Sequence, residues 1–117
     1  MIAKLHYITQ PVEGKTIEEL IEATCQGGTN WVQTRIKNKT YADWKSEAER
    51  AQSICKKYNA LHIINDNVQL AKEIGADGIH LGKQDMNPID ARKIIGNNAI
   101  IGGTANDFED ILRLAKA

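Results

Sequence analysis

The chain contains 117 residues and has a mass of 13.0 kDa, which predicts a single domain over residues 1–117. Hydrophobic residues make up 42% of the chain and charged residues 26%, and this balance excludes a disordered tail, a collagen-like repeat and a disulfide-dependent miniprotein. Lys plus Arg and Asp plus Glu each number 15, so the dispersed, balanced charge gives no reason to expect a nucleic-acid partner.

Nothing in the sequence predicts export or a membrane partner. No apolar run approaches the roughly 20 residues of a membrane span, and the segment Met1–Lys4 lacks the core of a signal peptide. Cys25 and Cys55 both fall in helix-like stretches, and we expect reduced thiols there. These features together predict a cytoplasmic protein.

In chain order, a short β-rich run, a polar break and an amphipathic helix recur five times. Such alternation predicts an α/β fold with a parallel sheet and crossover helices. Right-handed crossovers would place the carboxyl ends of all strands on one side of the sheet. The predicted strands are Leu5–Thr9, Trp31–Arg35, Leu61–Asn65, Gly78–Leu81 and Ala99–Gly102.

The helices carry clear start and stop signals. Thr16 and Glu19 have the spacing of a capping box at the first helix, and Asn87-Pro88 reads as the N-cap and first residue of the fourth. Asn106 and Glu109 predict the start of the fifth helix. Apolar residues at helical spacing predict the buried faces, which are Trp44, Ala48, Ala51, Cys55 and Tyr58 in the second helix, Val68, Ala71 and Ile74 in the third, and Phe108, Ile111, Leu112 and Ala115 in the fifth.

Five such units can form an open sheet or the first part of an eight-unit TIM barrel. A complete barrel needs roughly 200 residues or more, so we expect this chain to hold only part of one. In both architectures ligands bind at the carboxyl ends of the parallel strands.

The second strand ends in a cationic segment. Gln33, Arg35 and Lys37 alternate along it and should share one face. Arg and Lys in such a position predict an anionic ligand, and phosphate suits both. An edge strand with a solvated polar face is an equal alternative on spacing alone.

Two acidic residues follow neighbouring strands. Asp66 comes directly after the third strand and Asp85 follows the fourth, so their carboxylates could reach one cation. Mg²⁺ is commonly held by two carboxylates together with substrate phosphates. The alternative, which spacing alone favours, is that Asp66 caps the third helix and Asp85 belongs to a turn.

Two other features are less specific. The small residues of Gly102–Asn106 precede a helix and could seat an anion, although an ordinary loop has the same composition. His6, His62 and His80 lack metal-ligand spacing, and we expect His80 to be a packed, hydrogen-bonded residue.

Four sequence blocks in this order resemble the thiamine phosphate synthase family. They are QTRIK at 33–37, INDNVQLA at 64–71, GADGIHLGKQDM at 75–86 and IGGT at 101–104. The resemblance covers the whole chain but only about the first five of the family's eight βα units. It implies a TIM-barrel transferase of thiamin biosynthesis.

The resemblance also implies substrates and site residues. The family joins a hydroxymethylpyrimidine diphosphate to a thiazole phosphate, which releases pyrophosphate and gives thiamin phosphate. By resemblance, the pyrimidine diphosphate would contact Gln33, Arg35, Lys37, Asn65 and Thr104, and Mg²⁺ would bind Asp66 and Asp85. Lys83 stands where the family commonly has Gln and would add positive charge near the diphosphate. No residue is assigned as a general acid or base.

Three functions therefore remain open at this point. The chain could be the amino-terminal part of the synthase, a non-catalytic phosphate-binding half-barrel, or a thiazole tautomerase-like isomerase. Gly82 and Asp85 match a metal block that the isomerase branch lacks. The family's thiazole phosphate loops would fall after Ala117, so we expect the chain alone to be inactive, and to self-associate or to belong to a longer polypeptide.

Overall fold

A computed structural model describes residues 4–117. Its strands are β1 (Tyr7–Ile8), β2 (Trp31–Thr34), β3 (Leu61–Asn65), β4 (Gly78–Leu81) and β5 (Ile100–Gly103), and its helices are α1 (Ile17–Gln26), α2 (Tyr41–Lys57), α3 (Val68–Ile74), α4 (Pro88–Ile95) and α5 (Phe108–Ala115). The strands within the described residues form one parallel sheet in the order β1-β2-β3-β4-β5. The predicted α/β architecture of five βα units is confirmed. No helix within residues 4–117 combines the length and apolar character needed to cross a bilayer.

The two faces of the sheet have different partners. Ile64, Ile79 and Leu81 pack with helical residues of α3 and α4 in the larger hydrophobic cluster. Because side chains alternate along a strand, Gln33, Asn65 and His80 project from the opposite face. Asn65 is in register with His80 on β4. The polar residues therefore share a face near the carboxyl ends of the strands.

The predicted helix starts are largely confirmed. The Thr16 hydroxyl accepts from the Glu19 backbone N–H at 3.1 Å, and Asn87 caps α4 with Pro88 in its first turn. Gly75 ends α3 in the left-handed conformation at φ 68°, where glycine carries no steric penalty. The predicted inner face of α2 is buried at Ala48, Ala51 and Cys55, with Trp44 and Tyr58 partly buried.

A polar chain crosses the helix-facing side of the sheet. The His62 imidazole contacts the Thr34 hydroxyl through Nε2 at 3.1 Å and the Gln52 carbonyl oxygen through Nδ1 at 2.8 Å. The Gln52 amide in turn donates to the backbone carbonyl of Ile74. Burial lowers the pKa of His62 to about 4, so the ring is neutral at neutral pH. The chain joins β2, β3, α2 and α3 with its polar groups satisfied.

The orientation predicted for α5 is wrong. Phe108, Ile111 and Leu112 are 71%, 55% and 48% exposed, and Ala115 is exposed as well. The face that meets the rest of the protein carries Asp110, which is buried, and Leu114, which lies against Gly103. The helix is also capped by Asp107 rather than Asn106. The apolar residues do line one face of the helix, but no element within residues 4–117 covers that face.

Strand boundaries differ from the prediction by one or two residues. β1 spans only Tyr7–Ile8, the two residues in register with Val32 and Gln33 of β2. β2 ends at Thr34 and β5 is shifted by one residue to Ile100–Gly103. The shift of β5 leaves Thr104 directly after the strand.

Candidate functional site

The carboxyl ends of β2 and β3 bring three of the predicted residues together. The Lys37 ammonium donates to the Asn65 side-chain oxygen at 3.2 Å, and the Asn65 amide donates to the Gln33 side-chain oxygen at 2.8 Å. Gln33 is only 1% exposed. β2 lies between β1 and β3, so the alternative of an edge strand is wrong, although Arg35 and Lys37 are exposed as that alternative expected.

Arg35 lies just past the end of β2. Its backbone N–H donates to the Thr9 hydroxyl at 2.9 Å, which ties the loop after β2 to the end of β1. The Arg35 side chain is exposed and lines, with Lys37, a cavity of about 390 Å³ between the loops that follow β1 and β2. Within residues 4–117 neither of these cations forms an ion pair. Two cationic side chains are thus available to an anion at this edge.

Asp66 and Asp85 meet across the ends of β3 and β4. Burial, followed by the hydrogen bond and the charge of Asp85, raises the pKa of Asp66, and the Lys37 charge opposes that shift. Asp66 has a φ of 73°, and its backbone N–H donates to the His80 carbonyl at 2.8 Å. The two carboxyl groups are therefore neighbours at the same edge as Lys37.

The alternative roles of these two aspartates have different outcomes. Asp66 does not cap α3, because Asn67 does so by accepting from the Leu70 N–H at 2.9 Å. Asp85 does belong to a turn, since its carboxylate accepts from the Gly82 N–H at 2.7 Å. That hydrogen bond fixes the Asp85 carboxylate beside Asp66.

A two-carboxylate donor set fits one kind of metal ion in particular. Within residues 4–117 no group of three or more His, Cys, Asp or Glu side chains forms a site that could hold a metal unaided. Mg²⁺ prefers oxygen ligands and commonly takes only one or two from carboxylates, the others coming from water and phosphate. A divalent cation would also relieve the repulsion between Asp66 and Asp85. The residues present fit Mg²⁺ shared with a phosphate-bearing ligand.

Thr104 lies on the neighbouring strand end, beside His80. The Thr104 hydroxyl is 3.4 Å from His80 Nε2, and its backbone N–H donates to the Leu81 carbonyl at 3.0 Å. Burial lowers the pKa of His80, and the charge of Asp85 opposes that shift. His80 is thus the packed, hydrogen-bonded histidine that was expected, and Thr104 borders the same face as Asn65.

Lys83 forms its ion pairs with the acidic residues of α5 and its N-cap, not with Asp66 or Asp85. Its ammonium is 3.2 Å from the Asp110 carboxylate and 4.0 Å from that of Asp107. It therefore ties the loop after β4 to the start of α5. The additional charge expected beside a diphosphate is engaged in this ion pair.

His6 is a member of the site that sequence reasoning did not assign. Its ring stacks on Trp31, with centroids 4.0 Å apart and planes within 2°, and its Nε2 is 3.5 Å from the Gln33 side-chain nitrogen. Alternation from Ile8, which pairs with Gln33, would have placed His6 on the same face. Alternation could therefore have predicted the face on which His6 lies, but its contacts with Trp31 and Gln33 follow only from the pairing of β1 with β2.

Comparison with known proteins gives a consistent set of relatives. Residues 5–117 match the family described as thiamine monophosphate synthase. The chain is 48% identical over 116 residues to thiamine-phosphate synthase of Flavobacterium psychrophilum, covering 97% of this chain and 55% of that protein. It is 38% identical over 117 residues to the enzyme of the same name from Bacteroides thetaiotaomicron, covering 99% and 56%.

A solved structure also resembles this fold. Thiamine phosphate pyrophosphorylase from Pyrococcus furiosus superposes with a TM-score of 0.85 at 29% identity, covering 95% of this chain and 55% of that one. The five parallel βα units thus correspond to part of a TIM-barrel-like fold. The chain spans about half the length of the curated relatives it matches.

Proposed function

Because the chain belongs to the thiamine monophosphate synthase family, we propose that it provides the pyrimidine diphosphate and Mg²⁺ site of a thiamine phosphate synthase. The observation that carries the proposal is the meeting of an acidic pair, Asp66 and Asp85, with the Lys37–Asn65–Gln33 chain at one edge of the sheet. Acidic and cationic side chains lie together at this edge of the sheet. Such a site suits an anionic ligand that is bound partly through a metal cation and partly through cationic side chains.

The residues divide the diphosphate binding between them. Arg35 and Lys37 would donate to phosphate oxygens, since both are free of ion pairs within the described residues. Asn65 would donate through the amide hydrogen that Gln33 leaves unused. Thr104 would offer its hydroxyl to the pyrimidine. Gln33 is buried and would hold Asn65 in place by accepting a hydrogen bond from its side-chain amide.

The proposed reaction transfers the pyrimidinylmethyl group to the thiazole nitrogen of a thiazole phosphate. The C–O bond to the diphosphate breaks, pyrophosphate leaves with the bonding electrons, and the thiazole nitrogen forms the new C–N bond. Mg²⁺ bound by Asp66 and Asp85 would neutralise charge on the leaving oxygens. Donors from Lys37 and Arg35 would be most effective when that charge is largest, so they stabilise the transition state more than the bound substrate.

Titration of the aminopyrimidine diphosphate into the chain by calorimetry tests this proposal. We expect binding that requires Mg²⁺. A tautomerase-like isomerase predicts little dependence on the metal, so equal affinity with and without Mg²⁺ would favour that alternative. An absence of binding in both conditions would contradict the proposed site.

Catalysis needs a separate measurement. A chimera that continues this chain with the remaining part of the Flavobacterium psychrophilum enzyme should form thiamin phosphate from the two substrates, whereas we expect the 117-residue chain alone to form none. A chimera that binds the pyrimidine diphosphate but never turns over would favour the non-catalytic binding module. We place the reaction in the cytoplasm, with small molecules as partners.

A second copy of the chain is a further candidate partner. Phe108, Ile111 and Leu112 expose an apolar surface on α5, and such surfaces promote association. Sedimentation velocity should show association that grows with concentration and that the double substitution Ile111→Lys and Leu112→Lys suppresses. A monomer at all concentrations would contradict self-association.

A further inference from the structure

Four side chains on the open face of the sheet form a hydrogen-bonded chain with one possible direction. Lys37 contacts Asn65 Oδ1 at 3.2 Å, Asn65 Nδ2 contacts Gln33 Oε1 at 2.8 Å, and Gln33 Nε2 contacts His6 Nε2 at 3.5 Å. An ammonium group can only donate. Its position therefore fixes the orientation of the Asn65 amide, and Asn65 fixes that of Gln33.

The last contact determines the tautomer of His6. Because the Gln33 amide nitrogen donates, His6 Nε2 must accept and the ring hydrogen must lie on Nδ1. Burial and the nearby His80 hold the pKa of His6 below its ordinary value, which keeps the ring neutral and able to accept. A neutral histidine in water favours the Nε2–H form, so the arrangement departs from the default.

Trp31 holds the imidazole in place. The two rings are parallel within 2° at a centroid separation of 4.0 Å, which fixes the plane in which Nε2 points at Gln33. Gln33 is 1% exposed, so water does not readily replace the His6 acceptor. An amide nitrogen buried without an acceptor is costly, on the order of 1–3 kcal/mol.

We propose that His6 is a positioning residue that fixes the carboxamide of Asn65, through Gln33, so that Asn65 and Lys37 present donors to a diphosphate. The inference rests on the proposed function for the identity of its ligand. Without an acceptor at His6, the Gln33 amide gains by turning its nitrogen toward Asn65. The Asn65 amide must then turn as well, which points its own nitrogen at the Lys37 ammonium and breaks that contact.

The tautomer can be measured without any ligand. Long-range ¹H–¹⁵N correlation spectra of the labelled protein should show His6 with hydrogen on Nδ1 and an unprotonated, hydrogen-bonded Nε2. An Nε2–H tautomer, or a charged ring at neutral pH, would overturn the proposal whatever the protein binds.

Two substitutions separate the acceptor from the ring. His6→Phe keeps a flat ring for Trp31 but removes the acceptor, whereas His6→Gln restores an acceptor near the position of Nε2 and removes the ring. Titration with inorganic pyrophosphate and Mg²⁺ should show about a tenfold loss of affinity for His6→Phe, the size typical of residues that orient a ligating group. His6→Gln should recover most of that loss.

The outcomes distinguish this proposal from the function on which it rests. Equal affinity of His6→Phe and the unmodified chain, or an equal loss in both variants, would overturn the positioning role. A failure of the unmodified chain to bind pyrophosphate would contradict the proposed function, while the tautomer measurement would still decide the hydrogen-bond direction. If His6→Phe does not fold, His6→Gln and the tautomer spectrum remain decisive.

Discussion

The carboxyl groups of Asp66 and Asp85 lie close together although they follow different strands. Burial and then the contact with Asp85 raise the pKa of Asp66, and the Gly82 N–H holds Asp85 in place at 2.7 Å. Two carboxylates in contact repel one another unless a proton or a cation lies between them. The pair therefore costs stability in the absence of a ligand, which is typical of functional sites.

Removing the charge of Asp66 or Asp85 should affect ligand binding and the stability of the fold differently. Asp66→Asn and Asp85→Asn should each weaken Mg²⁺-dependent pyrophosphate binding at least about tenfold, measured by calorimetry. The unfolding temperature in EDTA should not fall for Asp66→Asn, since asparagine tolerates the φ of 73° at this position and the repulsion is removed.

Asp90→Asn is the matched control for these variants. Asp90 is an exposed carboxylate on α4 whose ion pair is with Lys93 at 3.7 Å. Its replacement should leave pyrophosphate affinity within about twofold, because exposed ion pairs contribute little. A variant of Asp66 that binds Mg²⁺ and pyrophosphate normally would contradict the metal site.

The two lysines that sequence reasoning placed near a diphosphate should respond differently. Lys37→Gln should lower pyrophosphate affinity about tenfold or more, because a charge-assisted hydrogen bond to phosphate contributes roughly 1.5–3 kcal/mol. Lys83→Gln should change the affinity less than about twofold, since Lys83 is paired with Asp110 at 3.2 Å. Equal losses would show that Lys83 leaves Asp110 when the ligand binds.

Local sequence signals predicted most of this fold, whereas spacing alone left the site open and the family resemblance supplied Asn65 and Thr104. The alternation of strand and helix, the capping residues and the polar residues at strand ends depend on neighbours within a few positions. Parallel pairing then requires the ends of β3 and β4 to be adjacent, which is why the sequence predicts that Asp66 and Asp85 lie at the same edge of the sheet.

The remaining features depend on contacts between distant segments. The apolar stripe of α5 predicts burial, but Phe108 and Ile111 are exposed because their burial requires a partner that residues 4–117 do not supply. His6 acquires a role only through its stack on Trp31 and its contact with buried Gln33. Alternation along β1 places His6 on the same face as Gln33, but the stack and the contact themselves depend on the pairing of β1 with β2.

His62 should make stability depend on pH. Its pKa is about 4 in the folded protein against 6.5 for the ordinary residue, owing to burial. As the pH falls below 6.5 the unfolded chain binds a proton that the folded protein does not, so the stabilisation present above pH 6.5 is lost as the pH approaches 4. The full loss is on the order of 3 kcal/mol.

The contribution of His62 can be isolated by comparing the pH dependence of the unfolding free energy in a variant and in the unmodified chain. His62→Asn keeps a donor for Gln52 and should be less stable at pH 7, but between pH 7 and pH 5 it should lose about 2 kcal/mol less than the unmodified chain in urea unfolding. His6 and His80 also have lowered pKa values, and both remain in the variant. Parallel pH profiles for the two proteins would contradict the assignment.

Gly78 should be the glycine least tolerant of a side chain. A Cβ at this position would overlap the backbone carbonyl and the Cβ of Ile100 on the paired strand, and backbone held in a parallel ladder cannot move aside. Gly78→Ala should therefore lower the free energy of unfolding by about 3 kcal/mol or more, at the upper end of overpacking effects.

Gly27→Ala is the matched control, because a Cβ there would lie 3.4 Å from its nearest neighbour, the Thr24 carbonyl oxygen, at a negative φ. Urea denaturation should place the control within about 1 kcal/mol of the unmodified chain, and a similar value for Gly78→Ala would show that β4 and β5 are less closely paired in solution than in this structure.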